Sequence, residues 1–384
     1  MTTIFDSLAG APAVHAFVIG IGDYPFLKDG DPERRQLWGL GQLTSPPLSA
    51  LAFAAWLDRE LALPAEDPRQ PGLALGSLEL LVSQPDPQAT FQPKDAATAV
   101  SVDRASMDTV KDAFKRWLGR CNRSEQNLAL FFFSGHGVAK GGWQGLLLDR
   151  FNPNDPNPFE EVIDFDRFAL GMDQCLARRQ CFLIDACRNT PPKLKRVGGR
   201  GQPLIDVQFD PPSDVPRDVC IIRATAAHQT AYGIQGEMTR FTSALLRALE
   251  GAGCSQPAER WEVRTDSIVA NLNALLKHDS LHKHLPSQEV KGPGDDSTGF
   301  VFHVPKAPKV PIVIGCTSET DTARASLMIT YHQQTVVERG PEPTDWETEL
   351  ALVDDEYSIS ASFQDEPERT KTIYVRPPLR EVRL

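Results

Sequence analysis

Two residues whose side chains can carry out nucleophilic chemistry, His136 and Cys187, each follow a short run of apolar residues. The two segments read LALFFFSGHG and CFLIDACRN. A cysteine attacks as its thiolate, so it needs a base or a lowered pKa. Histidine titrates close enough to neutral pH to take that proton and later give it to a leaving group. The pair therefore predicts a nucleophilic cysteine with a histidine as its acid and base.

The elements that must position this pair form an alternating pattern of apolar strands and amphipathic helices, which predicts an α/β fold with a mainly parallel sheet. Strands are predicted at 15–22, 78–82, 127–133, 181–184, 219–223 and 299–304. Helices are predicted at 48–61, 106–118, 165–178, 240–250 and 265–277. Ligands bind outside the carboxyl ends of strands in such sheets, so the pair would meet there if its two strands are neighbours.

The chain is predicted to contain two domains. Three prolines within 305–311 indicate a linker after an α/β domain at 1–305. That domain is divided into 11–190, a loop at 191–217 that is rich in proline, glycine and charge, and 218–305. Short β-type runs with turns between them predict a small β-rich C-terminal domain at 306–384.

Composition narrows the classes of partner and location. A net charge of −11 argues against a general nucleic-acid binder. No signal-peptide pattern is recognised, and the apolar runs are far shorter than the ~20 residues of a membrane helix. Seven cysteines without CxxC or zinc spacing fit reduced thiols. We therefore expect a cytoplasmic protein that binds neither nucleic acid nor membrane.

The paired motifs resemble those of the caspase and metacaspase clan of cysteine peptidases, in which strands ending in SGHG and DAC stand about fifty residues apart. The similarity covers about 11–305 and includes IGIGDY after the first strand and RATAAHQTAY at the fifth. Caspases have glutamine and glycine where Asp185 and Asn189 stand here, and aspartate at the first position looks like metacaspases and their bacterial relatives. The resemblance implies a caspase-like sheet of six strands and endopeptidase activity.

The resemblance also implies a role for each site residue. Cys187 would attack the scissile carbonyl, and His136 would protonate the leaving amine. The backbone N–H groups of Gly137 and Cys187 would form the oxyanion hole. Asp185 stands where metacaspases have a pocket acid, and Ser134 matches another position lining that pocket. Cleavage after arginine, with lysine second, is expected because a carboxylate can pair bidentately with a guanidinium.

The chain departs from the metacaspase pattern in the pocket. Metacaspases carry a further aspartate early in the first helix, and the nearest equivalent here is around Ser49. We expect Asp23 to substitute for it as a substrate-binding residue. The basic residues of the loop at 191–217 include Lys193, Lys195, Arg196 and Arg200, and an enzyme of this specificity could cut itself there.

Neither a cofactor nor a resident metal is expected, although calcium stays open because many metacaspases need it. The acidic residues between 149 and 166 follow no recognised ligand spacing. The implied partners are a protein or peptide substrate and an activating protein that switches on a zymogen in antiviral defence or regulated death. Metacaspases usually do not dimerise, so a monomer is expected.

Two other functions remain open at this stage. A caspase-like pseudoenzyme would act as an interaction scaffold without turnover, and the presence of both His136 and Cys187 argues against it. A different Cys–His hydrolase, such as an amidase on small substrates, could use the same pair of residues.

Overall fold

The computed structural model describes the chain except for residues 1–2, 7–10, 31–38, 64–71, 189, 191–197, 208–216, 226–234, 257–259, 293–298 and 354. It divides into two compact units, Met1–Ala244 with Leu276–Val301 and Leu245–Leu275 with Phe302–Leu384. The second unit therefore takes in a segment that precedes the proline linker, whereas the sequence placed a single boundary at residue 305.

Up to residue 247 the helices and strands are, in chain order, β1 (Thr3–Asp6), β2 (Val14–Ile21), α1 (Ser45–Glu60), β3 (Leu75–Ser83), β4 (Thr90–Phe91), β5 (Val100–Ser101), α2 (Met107–Cys121), β6 (Leu128–Gly135), β7 (Gly137–Lys140), β8 (Trp143–Leu147), β9 (Val162–Asp164), α3 (Phe165–Gly171), a 3-10 turn (Met172–Gln174), β10 (Arg179–Ala186), β11 (Asp218–Arg223) and α4 (Arg240–Arg247). The elements after α4 are, in chain order, a π-helical turn (Ala248–Ala252), β12 (Cys254–Ser255), β13 (Glu262–Arg264), α5 (Ile268–His282), β14 (Val301–His303), β15 (Lys309–Gly315), α6 (Glu319–Arg324), β16 (Ser326–Tyr331), β17 (Gln334–Arg339), β18 (Trp346–Ala351), β19 (Tyr357–Ser362), β20 (Arg369–Ile373) and β21 (Arg380–Arg383).

The central sheet has six strands in the order β1-β3-β2-β6-β10-β11. Every pairing in it is parallel except that of β1 with β3. Strands β2, β6 and β10 are buried along their whole length. Continuous apolar strands of this kind are typical of parallel sheets covered on both faces, so the predicted fold class is confirmed.

One strand of that sheet was assigned wrongly from the sequence. The predicted strand at 299–304 contains β14, but β14 belongs to a three-stranded sheet with β12 and β13. The sixth place in the central sheet is taken by β1, an antiparallel edge strand of four residues. A short strand's own pattern does not show which partner it pairs with, and four residues carry too little periodicity to be recognised.

Aromatic packing shows how the central strands are covered. Phe132 stacks on Phe53 of α1 with ring centroids 4.7 Å apart. The adjacent Phe131 lies against Phe168 of α3 at 5.1 Å. Successive residues of a strand point to opposite faces, so helices pack on both sides of β6. Both faces being closed, polar side chains of this strand and its neighbours can reach a substrate only at the strand ends.

The β-rich part of the second unit contains a three-stranded sheet, β18-β15-β21, and a four-stranded sheet, β17-β16-β19-β20. The four β-type runs predicted after the linker correspond to β15, β16, β19 and β20. Across the described ranges, no helix is both long enough and apolar enough to cross a membrane.

Candidate active site

His136 and Cys187 follow equivalent positions of two neighbouring strands. β6 and β10 are paired in parallel, with Ser134 opposite Asp185 and Gly135 opposite Ala186. Each of the two residues is the next one along its chain. His136 and Cys187 can meet only if these strands are neighbours, and the sheet order places β6 next to β10. Cys187 is half-buried, and His136 is 8% exposed.

Gly137 brings the backbones after the two strands into direct contact. A Cβ atom built at this position would lie 2.4 Å from the carbonyl oxygen of Cys187 and 2.9 Å from the Cβ of Ala186. Only glycine fits this approach without moving the cysteine. Gly137 and Cys187, whose N–H groups the resemblance assigns to the oxyanion hole, therefore lie side by side.

The ring of His136 is held by a backbone carbonyl. Its Nε2 lies 2.7 Å from the oxygen of Gly41. A carbonyl can only accept, so Nε2 carries the proton and Nδ1 is the basic nitrogen of the neutral ring. Burial lowers the pKa of His136 to about 4, and the hydrogen bond to Gly41 opposes that shift. The ring is therefore neutral, and able to accept a proton, throughout the physiological pH range.

Tyr24 holds the backbone of His136 in place. Its hydroxyl oxygen accepts the backbone N–H of His136 at 2.8 Å, and the two rings lie 4.9 Å apart. The same hydroxyl donates to the carbonyl of Leu147 at 3.4 Å. A Cβ atom at Gly135 would lie 2.8 Å from this oxygen, so the glycine before His136 makes room for the tyrosine.

Gln42 ties the segment that carries Gly41 to Tyr24. Its Oε1 accepts from the backbone N–H of Tyr24 at 2.7 Å, and its Nε2 donates to the carbonyls of Tyr24 at 2.9 Å and Lys28 at 3.0 Å. Neither Tyr24 nor Gly41 was predicted as a site residue from the sequence. The IGIGDY motif, which contains Tyr24, could have pointed to that residue. Gly41 acts through its backbone carbonyl, and every residue has one, so its residue type gives no indication of this role.

Asp185 lies in a buried cluster of hydroxyl groups. The residue is 2% exposed. Its Oδ2 accepts from Ser134 at 3.2 Å, from Thr242 at 2.8 Å and from Thr239. Burial raises the pKa of Asp185 to about 6, with the hydrogen bonds from Thr239, Thr242 and Ser134 opposing the shift. Ser49 joins the cluster through Thr239. The structure thus brings together Asp185, Ser134 and the position expected to match the second metacaspase acid.

Asp23 has a different partner from the one expected. Its Oδ2 lies 2.7 Å from a terminal nitrogen of Arg104, whose Nε donates to Asp149 at 2.9 Å. Within the described residues, Asp23 is not one of the groups that hydrogen-bond to Asp185. Asp23 follows the end of β2 and forms an ion pair with Arg104, and its expected part in substrate binding stays a prediction.

Three of the acidic residues between 149 and 166 form ion pairs with three different arginines. Asp149 and Asp164 pair with Arg104 and Arg200, and Asp166 lies 3.0 Å from Arg223. Arg200 therefore forms an ion pair with a buried carboxylate, unlike a loop arginine that contacts only solvent. The other basic residues of that loop named from the sequence, Lys193, Lys195 and Arg196, lie outside the described residues, as does Asn189.

Comparisons with known proteins identify the family of this chain. The model of the caspase domain, a peptidase family, matches residues 14–291. The chain is 28% identical over 225 residues to the uncharacterized protein y4kE of Sinorhizobium fredii, a match that spans 54% of this chain and only 61% of that protein. Among solved structures, the chain is similar to caspase-1 from Spodoptera frugiperda, with 11% identity and a TM-score of 0.42 over 77% of this chain and 91% of that one. Since the family match covers well over half of the sequence, the chain belongs to the caspase-domain family of cysteine peptidases.

Proposed function

We propose that the protein is an endopeptidase that cleaves after basic residues, with Cys187 as nucleophile and His136 as general base and acid. The observation that carries the proposal is the placement of both residues directly after the paired ends of β6 and β10. Asp185, two residues before Cys187 on the same strand, supplies the buried negative charge for the substrate side chain.

The chemistry follows from the protonation state of His136. Neutral Nδ1 takes the thiol proton of Cys187 as the sulfur attacks the scissile carbonyl carbon. The oxyanion then receives hydrogen bonds from the backbone N–H groups of Gly137 and Cys187. The imidazolium gives its proton to the leaving amine, which departs and leaves a thioester. Water, deprotonated by the same nitrogen, releases the acid product and restores the thiol.

The geometry around His136 favours this cycle in two ways. The hydrogen bond to Gly41 fixes the tautomer, so that the basic nitrogen is always the one available for proton transfer. The same carbonyl stabilises the imidazolium that forms during the reaction. Burial, which lowers the pKa, makes that imidazolium a strong acid toward the leaving amine.

The regulatory part of the proposal rests on the family resemblance. We propose a cytoplasmic, monomeric zymogen that is switched on by a partner protein in a defence or regulated-death pathway. Residues 306–384 are the proposed docking module for that partner. Calcium is treated as a variable of the assay, without an assigned site.

The test is cleavage of fluorogenic peptides that differ only in the residue before the cleaved bond, arginine, lysine or aspartate, with and without calcium. We expect the arginine and lysine peptides to be cleaved by the wild-type protein and not by Cys187→Ala, which serves as the matched control. Cleavage after aspartate would keep the family and overturn the pocket. If no peptide is cleaved and a thiol-reactive basic peptide fails to label Cys187, the interaction-scaffold function replaces this one.

Tyr24→Phe is expected to lower kcat about tenfold and to leave KM nearly unchanged. The variant removes the acceptor of the buried His136 N–H, and an unsatisfied buried group costs about 1–3 kcal/mol. The substrate pocket around Asp185 is untouched, which is why KM should stay constant. Tyr374→Phe, at an exposed tyrosine, is the control. An unchanged kcat, or a rise in KM alone, would show that Tyr24 does not position His136.

A further inference from the structure

The two oxygens of the Asp185 carboxylate have unequal surroundings. Oδ2 accepts from three hydroxyl groups, those of Ser134, Thr239 and Thr242. Oδ1 is buried, and nothing in the part of the chain that the structure describes hydrogen-bonds to it. Each carboxylate oxygen offers about two lone-pair sites. Oδ2 is therefore saturated, and Oδ1 is the acceptor left for a ligand.

The hydroxyl of Thr239 cannot turn away from Oδ2. Its oxygen accepts from the Ser49 hydroxyl at 3.2 Å and from the Thr242 N–H at 3.1 Å. Ser49 in turn accepts the backbone N–H of Thr239 at 2.9 Å, so its own proton points to the threonine. With both lone pairs of Thr239 used, its proton is directed at Asp185. Ser49, which stands where a second acid was expected, orients this donor and adds no charge.

An arginine side chain gains its advantage over lysine by engaging both oxygens of a carboxylate at once. An ammonium group needs only one acceptor. We propose, on the basis of the function proposed above, that this pocket binds basic side chains through Oδ1 alone and accepts lysine nearly as well as arginine. Thr239 and Thr242 are specificity-determining residues, because their hydroxyls keep Oδ2 from the guanidinium. This replaces the bidentate pairing, and the arginine preference, expected from the sequence.

The experiment compares kcat/KM for two peptides that differ only in arginine or lysine before the cleaved bond, at pH 8, where Asp185 is ionised. For the wild-type protein the arginine-to-lysine ratio should lie within about tenfold, because the second charged hydrogen bond is missing. Thr242→Val removes one donor from Oδ2 without changing the side-chain shape and should raise the ratio about fivefold or more. Ser134→Ala removes another donor, on β6, and serves if the valine variant does not fold.

Ser243→Ala is the control, since it deletes a hydroxyl one position further along α4 and should leave the ratio unchanged. A wild-type ratio above about a hundredfold would overturn the single-oxygen pocket while leaving the peptidase function intact. The same holds if the ratio is unchanged in both donor variants. If neither peptide is cleaved and a thiol-reactive basic peptide also fails to label Cys187, the proposed function fails, and this inference fails with it.

Discussion

Asp185→Asn is expected to make the protein more stable at neutral pH and to weaken its action on basic substrates strongly. Burial raises the pKa of this carboxyl from the ordinary 3.8 to about 6. Holding the charged form in the folded state therefore costs about 3 kcal/mol above pH 6, at 1.36 kcal/mol per pKa unit. Asparagine keeps the shape and an acceptor for the hydroxyls, and it carries no charge. We expect a gain of about 1–3 kcal/mol in the free energy of unfolding.

The pH dependence of the stability gain distinguishes removal of the Asp185 charge from a change in side-chain packing. A carboxyl whose pKa is raised on folding contributes its stability below the unfolded pKa and loses it as pH rises through the folded value. The difference between variant and wild type should therefore be small near pH 4, grow between about 4 and 6 and stay constant above. Denaturant unfolding at pH 4 and pH 8 measures it. Asp206→Asn, at a side chain that is 85% exposed, is the control and should shift neither value.

Activity should move in the opposite direction. Loss of the Asp185 charge is expected to lower kcat/KM for arginine and lysine peptides by about 10²–10³-fold, in the range of a buried charged pair losing one partner. Alkylation of Cys187 by iodoacetamide should be unaffected, since that reagent does not use the pocket. A variant that was less stable at pH 8 would show that Asp185 is retained for folding and not for substrate. Equal activity on basic peptides would remove it from the site.

The sequence predicted the parts of the site that lie on strands, and the reason is physical. A buried parallel strand is a continuous apolar run, so the residues that follow it, His136 and Cys187, stand out by contrast. Their meeting required only that two such strands be neighbours. Asp185 and Ser134 came from the same motifs. The pairing of His136 with Cys187 depended on local pattern and one rule about where parallel strands end, whereas the roles of Asp185 and Ser134 are implied by the resemblance to metacaspases.

The residues that the sequence did not predict act through contacts between distant segments. Thr239 and Thr242 reach Asp185 from the start of α4, 54 and 57 residues away, and threonines at a helix start are too common to signal a site. The carbonyl of Gly41 serves His136 from 95 residues away, and any residue type could provide it. The ion pair between Asp23 and Arg104 was not predicted either, because proximity to a motif does not reveal a nearby cation from another segment.

His136→Ala is expected to lower kcat/KM by about 10³-fold or more, as removal of one member of a nucleophile–base pair typically does. Without the imidazole, no base takes the thiol proton of Cys187, and a cysteine without such help ionises only in mildly alkaline solution. Residual activity should therefore rise with pH up to about 9, whereas the wild-type rate should not. His282→Ala, at an exposed histidine of α5, is the control. Retention of more than about a tenth of wild-type activity would show that another group serves as the base.

The acidic side of the wild-type plot of kcat/KM against pH identifies which group titrates first as the pH falls. His136, with a pKa of about 4, stays neutral down to low pH, whereas Asp185 is protonated below about 6. For a lysine or arginine peptide, kcat/KM should accordingly fall as pH drops through about 6, because the pocket loses its charge while the base is still intact. A limb centred above pH 7 would mean that His136 titrates near or above its ordinary value. In the active enzyme His136 would then not be buried and bonded to Gly41, and the assignment of the basic nitrogen would have to be revised.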